Sequence, residues 1–369
     1  MKVLALNSSL RTDGESRTEL MLTHLVKGMR DAGADVEMVN LRDKKIGYCE
    51  GCFACQTKTP GRCALQDDMT LELYPKWLAA DVCVYATPLF HWTVNAPMKA
   101  FIERTFPSCE PFFVQKEDGR WTHPLRHPVP AAVMLSVAGF AEDWVFDELS
   151  HYAHFLFGRS GRLLAEIYRP GAMMMTQGAA KFLPDILAAT EQAGRELVTT
   201  RSVSPETLAR IRRPLADDMA SVARMANMFW QTCIDAGVTP KGFERRGMTP
   251  RPRTIQDYLT VMEIGFNPAA AAGVRTTLQF EFSGDVAGPC YLEVADGRLR
   301  GHDGRPAERA DLVIHAPFEA WIDVVTGKTP AMQAFMSGQC RAEGDFSLLM
   351  QFDKWFQKQP QPDAGQIAH

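Results

Sequence analysis

The chain has 369 residues, of which 46% are hydrophobic and 23% charged, and its formal net charge is −4. That balance excludes a fibrous or disordered chain, supplies no strong field for nucleic acid or anionic lipid, and at this length points to two domains. The longest apolar runs, such as Ala131 to Val137, are strand-sized and too short to cross a bilayer. Met1 to Leu10 lacks the parts of a signal peptide, so the expectation is a cytoplasmic protein with no membrane span and no nucleic-acid partner.

In chain order, Val3 to Leu6 reads as a first buried strand and Ser16 to Arg30 as a helix with Leu22, Leu25, Val26 and Met29 on one face. Ser16 and Glu19 have capping-box spacing. Asp35 to Leu41 and Val82 to Ala86 read as further strands, Asn95 to Thr105 as a helix, and Ala131 to Val137 as a fourth strand followed by a helix from about Glu142. Arg162 to Tyr168 reads as a fifth strand. Strands alternating with helices predict an α/β fold, a doubly wound parallel sheet covered on both faces. Residues 181–236 read as helical, extending a first domain of residues 1–236. The Pro- and Gly-rich stretch 237–253 reads as a linker.

The last part, residues 254–369, changes character. Leu278, Phe280 and Phe282 alternate with polar residues, as do Cys290, Leu292 and Val294, and Leu312 to Ile314 reads as a short strand. Helical faces follow, with Phe318, Trp321, Ile322 and Val325 on one and Leu349, Phe352 and Phe356 on another. Antiparallel strands with helices grouped later predict a smaller α+β domain.

The loop from Asn7 to Ser16 joins the first strand to its helix, at the sheet edge where ligands of such folds bind. A helix N-terminus attracts anions. Ser8, Ser9, Ser16 and Thr18 offer hydroxyl donors, and Arg11 or Arg17 offers charge. The spaced glycines of a dinucleotide fingerprint are missing, which favours a mononucleotide phosphate. The alternative is that Ser16 merely caps its helix. After the third strand, Pro88, Leu89, Phe90, His91 and Trp92 supply apolar walls and backbone donors for a planar ring. Ser136 and Gly139 follow the fourth strand at the same edge.

Four of the nine cysteines, Cys49, Cys52, Cys55 and Cys63, are spaced C-x2-C-x2-C-x7-C. Thiolates bind iron strongly, and four on one short run suit a [4Fe–4S] cluster better than the two separated knuckles of structural zinc. A cysteine-rich loop without metal is the alternative. Asp67 and Asp68 read as helix caps, and neither His123 with His127 nor His151 with His154 reads as a metal site. Cys83, Cys109, Cys233, Cys290 and Cys340 read as small buried hydrophobes.

Taken together, Ser9-Leu10-Arg11, Gly14 to Ser16, Thr87 to Trp92, Lys99 to Arg104 and the cysteine run with Asp67, Asp68 and Met69 resemble the NAD(P)H-dependent FMN reductase family and its iron–sulfur flavoprotein branch. The resemblance covers about residues 1–180 and departs from the family pattern at Leu10 and Glu15. It implies a flavodoxin-like domain binding FMN through the residues named above, and hydride transfer from NADH or NADPH to the flavin. It also implies a homo-oligomer with flavin sites near the subunit contact. A cluster would suit a one-electron partner. Without it, a quinone, azo or nitro compound or free flavin would be the acceptor. No side chain stands out as an obligatory acid or base. Asp311 to Ile314, Phe318 to Trp321, Gly327 and Gly338 to Asp345 resemble the sterol carrier protein-like fold, which implies a hydrophobic ligand and leaves room for a lipophilic acceptor. Two other readings stay open: an electron carrier without nicotinamide activity, and a lipid-binding or sensing protein with a regulatory flavin domain.

Overall fold

The first apolar run is β1 (Lys2–Asn7) in the computed structural model, which describes residues 1–12, 14–175, 182–216 and 218–356. α1 (Arg17–Asp31), β2 (Asp35–Asn40), α2 (Tyr74–Ala79), β3 (Val82–Pro88) and α3 (Ala96–Glu103) follow. A two-stranded hairpin, β4 (Val114–Gln115) and β5 (Trp121–Thr122), precedes β6 (Ala131–Val137), α4 (Asp147–Leu156), β7 (Leu163–Arg169), α5 (Leu183–Thr200) and α6 (Pro205–Arg212). The main strands pair in parallel in the order β2-β1-β3-β6-β7. This is the flavodoxin-like order, with its switch point between β1 and β3.

Side chains alternate across each strand, so β1 sends Val3 and Ala5 to one face and Leu4 and Leu6 to the other. The first pair joins Met21, Leu25 and Met29 of α1 and Ile186, Ala189, Ala193 and Leu197 of α5. The second joins Trp77 of α2, Met98 and Phe101 of α3 and Leu149 of α4. Both faces are covered, which is why β3 and β6 read as unbroken apolar runs.

Across the α1–α5 contact, Lys27 Nζ lies 2.6 Å from Glu191 Oε2 and His24 Nδ1 lies 2.8 Å from Oε1. The Lys27 ammonium, helped by His24, holds the Glu191 carboxyl below its ordinary value. A depressed carboxyl adds stability above the unfolded pKa, roughly 4.3 for glutamate, and loses it as pH falls through the folded value. The pair is partly exposed, so the stability difference between wild type and Glu191→Gln is expected to be under about 1 kcal/mol at pH 7. It should shrink below about pH 4.3 in urea titrations; a gap unchanged from pH 7 to pH 3 would contradict this.

The chain divides into two compact units, Met1–Asp217 and Asp218–His369. The sequence placed the division at 236/237. Here α7 (Met219–Ala236), capped by Asp218, lies in the second unit and packs with the helix Ile255–Gly265. The stretch read as a linker contains α8 (Pro240–Arg245), started by Thr239, and its last residue precedes Thr254, whose capping box with Asp257 starts α9 (Ile255–Gly265). The helical stretch expected over 181–236 comes as three helices with breaks near Pro205 and Pro214, where a ring without an N–H interrupts helical bonding; residues 181 and 217 of it lie outside the described residues. Residues 357–369 of the expected second domain lie outside the described residues.

The second unit continues with β8 (Thr276–Ser283), β9 (Gly288–Ala295), β10 (Arg298–Asp303), β11 (Leu312–Pro317), α10 (Phe318–Val325), α11 (Ala331–Met336), β12 (Arg341–Gly344) and α12 (Ser347–Trp355). Its sheet order is β10-β9-β8-β11-β12. The expected antiparallel sheet is mixed: β8, β9 and β10 form a meander, and β11 returns along the free edge of β8 in parallel with it.

Candidate functional site

Everything that the sequence singled out around a phosphate lies beyond the C-terminal end of β1. Ser8, Ser9, Ser16 and Thr18 are buried, while Arg11 is exposed and Arg17 half-buried. Ser8 Oγ donates to the Ala86 carbonyl at 3.1 Å and its amide donates to the same oxygen at 2.9 Å, which fastens the loop to β3. Ser9 Oγ accepts from the Arg11 amide, and Ser16 Oγ accepts from the Glu19 amide as the α1 cap. The capping box expected from Ser16 and Glu19 is not returned by the Glu19 carboxylate, which pairs with Arg42 at 2.9 Å. Arg42 also donates to the Ser9 and Arg11 carbonyls, so one guanidinium holds the loop's carbonyls and turns the Glu19 charge towards itself. The first-turn amides of α1 lack intrahelical acceptors and face the loop end of the helix.

The second segment is a tight turn. Phe90 and Thr93 exchange backbone hydrogen bonds at 3.1 and 3.0 Å, and the two residues between them, His91 and Trp92, have φ of 46° and 61°. Two consecutive left-handed residues make a type I′ turn, which normally takes Asn or Gly. Non-glycine side chains in that conformation are strained, a condition that gathers at binding sites. Phe90, His91 and Trp92 are exposed, and Pro88 and Leu89 half-buried. Ser136 is buried with its Oγ donating to the Thr87 carbonyl at 2.9 Å, and Gly139 abuts the Met173 side chain. Leu10, Phe140, Trp144 and Met173 are also exposed, each beyond the C-terminal end of a strand of the same sheet.

One residue that no local pattern singles out joins the two segments. Asn95 is buried; its Nδ2 donates to the Ser8 carbonyl at 2.7 Å, its Oδ1 accepts from the Met98 amide as the cap of α3, and its amide donates to Thr87 Oγ1. Phosphate loop and aromatic turn are thereby held in one frame.

Cys49, Cys52, Cys55 and Cys63 lie on one connection between β2 and α2, all as free thiols; the first two are exposed and the others half-buried. Gly51 and Phe53 are left-handed, with φ of 63° and 54°, and curl the backbone between the cysteines. Burial, and then the charges of Cys63, Cys49 and Cys52, push the Cys55 thiol up, so all three are within electrostatic reach of it. Among the described residues, no group of three or more His, Cys, Asp or Glu side chains is arranged to hold a metal ion as it stands. Asp67 Oδ1 accepts from the Thr70 amide and Asp68 Oδ2 from the Lys45 amide. Of the other five cysteines, four are buried as expected. Cys109 is only half-buried, because it sits in the irregular chain after α3.

In the second unit, Tyr258, Phe280, Phe282, Phe318, Trp321 and Phe352 meet in one aromatic core. Within it, Tyr258 Oη and Trp321 Nε1 are buried close enough to act on each other, and neither has another hydrogen-bond partner among the described residues. No helix among them is long and apolar enough to cross a membrane.

Comparison with known proteins adds the following. Residues 1–151 match the family model described as NADPH-dependent FMN reductase, and residues 266–357 match the SCP-2 sterol transfer family. An iron-sulfur flavoprotein of Archaeoglobus fulgidus is 36% identical over 107 residues, 29% of this chain and 46% of that protein. Hydroxysteroid dehydrogenase-like protein 2 of Rattus norvegicus is 26% identical over 110 residues, 29% of this chain and 21% of that protein. The chain thus spans less than half the length of either relative. A solved structure, the NAD(P)H:quinone oxidoreductase from Methanothermobacter marburgensis, aligns with a TM-score of 0.39 and 18% identity over 53% of this chain and 96% of that one. The chain therefore joins a flavodoxin-like segment that matches the NADPH-dependent FMN reductase model, residues 1–151, to a segment that matches the SCP-2 sterol transfer model, residues 266–357.

Proposed function

We propose that the first unit binds FMN and that the protein is an NAD(P)H-dependent oxidoreductase, passing electrons to a lipophilic or one-electron acceptor. The observation that carries this reading is the Asn95 frame, which fixes an anion-binding helix start and a strained, exposed aromatic turn at one sheet edge. In this reading the α1 amides, Ser9, Ser16 and Thr18, with Arg11 and Arg17, hold the phosphate. Ser8 shapes the loop through its bonds to Ala86. Pro88, Leu89, Phe90, His91 and Trp92 form the wall of the ring, with Ser136 and Gly139 beside it. FMN, when bound, supplies hydride acceptance from NADH or NADPH and electron transfer onward. The exposed Phe140, Trp144 and Met173 suit burial against a second copy, making the protein a homo-oligomer. Full-length protein is expected to quench added FMN fluorescence at 1:1 stoichiometry and to bleach bound FMN when NADPH or NADH is added without oxygen; FMN that stays fluorescent would sink the reading.

The cysteine connection is proposed to hold a [4Fe–4S] cluster. Its four thiols are free and Cys55 is within electrostatic reach of the other three, and the four thiolates of a cubane bind four different irons, so they stand wider than the ligands of one ion. Anaerobic reconstitution is expected to give about four irons per chain, as such a cluster requires. Cys52→Ser should remove the iron and leave FMN binding intact.

The second unit is proposed to hold a hydrophobic ligand. Tyr258 Oη and Trp321 Nε1 support this: buried in an aromatic core with no partner beyond each other, they keep hydrogen-bonding capacity that a ligand's polar group would fill, and an unmet buried group costs about 1–3 kcal/mol. Tyr258→Phe is accordingly expected to leave the ligand-free protein as stable or more so, by about 1 kcal/mol, while lowering retention of co-purified lipid. A destabilised, lipid-retaining variant would contradict it.

A further inference from the structure

Ser16 and Glu19 have the spacing of a capping box, in which the carboxylate of the later residue returns to the backbone amide of the earlier one. In α1 only half of the box is made. Ser16 Oγ accepts from the Glu19 amide at 3.0 Å. The Glu19 carboxylate is held elsewhere: Arg42 Nη1 donates to its Oε2 at 2.9 Å and Nη2 to its Oε1 at 3.3 Å. Arg42 belongs to the turn Leu41–Asp43 after β2, and its side chain is only 15% exposed. The same Nη1 donates to the Arg11 carbonyl at 3.1 Å and to the Ser9 carbonyl at 3.4 Å. The guanidinium is thus anchored on the loop, and the two-toothed pair fixes the carboxylate to it.

The consequence falls on the helix start. Ser16 and Thr18 are buried, and their backbone amides donate to no acceptor among the described residues. A buried N–H without an acceptor is costly, and Glu19 is the residue whose carboxylate could reach the Ser16 amide from within α1. A closed box would satisfy that donor. It would also put a fixed negative charge at the positive end of the helix, where an anion is otherwise favoured. The Arg42 pair keeps the carboxylate off that amide and leaves the donor to an incoming anion.

We infer that Arg42 is a positioning residue for the flavin phosphate: it withholds Glu19, a carboxylate of the same helix that competes with the phosphate for the start of α1. The inference rests on the FMN reading.

The test measures FMN dissociation constants by fluorescence quenching on full-length protein, with melting curves to check folding. Wild type is measured first: if it does not bind FMN, the FMN reading fails, and the inference with it. Arg42→Met frees the carboxylate and is expected to raise the dissociation constant about tenfold or more. Glu19→Ala alone is expected to stay within about threefold of wild type, because its carboxylate is already withheld. Adding Glu19→Ala to Arg42→Met should restore binding to within about threefold of wild type, so the two changes are non-additive. Arg42→Gln keeps a donor for the loop carbonyls but no charge for Glu19. It is expected to weaken binding as Arg42→Met does, and it carries the comparison if Arg42→Met fails to melt cooperatively. Wild-type affinity in Arg42→Gln, or a loss in Arg42→Met that Glu19→Ala does not restore, would leave Arg42 a brace of the loop carbonyls and overturn the inference. Additive changes, with Glu19→Ala tightening wild type as much as it tightens Arg42→Met, would overturn it as well.

Discussion

Replacing Gly28 with alanine is expected to cost the first unit about 2–3 kcal/mol, in spite of alanine's better helix propensity. A Cβ on Gly28 would stand 1.8 Å from the backbone oxygen of Glu191, and one on Gly194 would stand 2.1 Å from that of Leu25. α1 and α5 therefore touch backbone to backbone, each through a glycine facing the other helix. On an open helix the change would gain about 1 kcal/mol. Here the obstruction is main chain and cannot rotate aside, so overpacking decides the sign. In a unit of this size the loss should lower Tm by roughly 4–12 °C. The melting curve of the full chain checks it, and an unchanged first transition would mean that the helices do not cross at these residues. Gly194→Ala is expected to behave alike, since it meets the same crossing from the other side.

The second large effect is expected at Asn95. Asn95→Ala leaves the Ser8 carbonyl without its donor and α3 without its cap. A buried acceptor left unpaired costs about 1–3 kcal/mol and a lost cap about 1 kcal/mol. The distinctive consequence is on cofactor binding, because the phosphate loop and the aromatic turn are no longer held in register. FMN dissociation constants should rise at least about tenfold, equivalent to 1.4 kcal/mol. Asn95→Asp separates the two roles. It keeps the acceptor for the Met98 amide but cannot donate to Ser8, and it adds a negative charge near the phosphate. A variant that keeps the α3 cap, loses about 1–3 kcal/mol through the unpaired Ser8 carbonyl and releases FMN is the expected result. If Asn95→Asp binds FMN like wild type, the Asn95 frame does not carry the site.

Much of the first unit could be read in advance, because a parallel sheet buried on both faces leaves strands as unbroken apolar runs, as in β1, β3 and β6. The second sheet was less open to reading. β10 and β12 are edge strands with largely polar, half-exposed side chains, so neither alternation nor an apolar run marks them. β4 and β5, two residues each, are too short for any period. α7 was legible as a helix but not as part of the second unit, since its partner α9 lies 19 residues beyond its end.

In the candidate site, residue type and position along the chain pointed to the phosphate loop, the aromatic turn and the cysteine run. They did not reveal what braces them. Arg42 and Asn95 act through partners 23 to 87 residues away, and no local pattern encodes such a pairing. Gly28 and Gly194 show the same limit: inside a helix a glycine reads as a propensity defect until the facing backbone is in place.

The most direct test of the central claim is an anaerobic titration of the FMN-loaded full-length protein with NADPH, followed by NADH, recorded across the flavin absorption bands. FMN is expected to stay bound through gel filtration, and its bands to bleach with about one equivalent of reductant, beyond any taken up by a cluster. Bound FMN that neither nucleotide bleaches, but dithionite does, would contradict the nicotinamide-dependent activity and leave an electron carrier in its place.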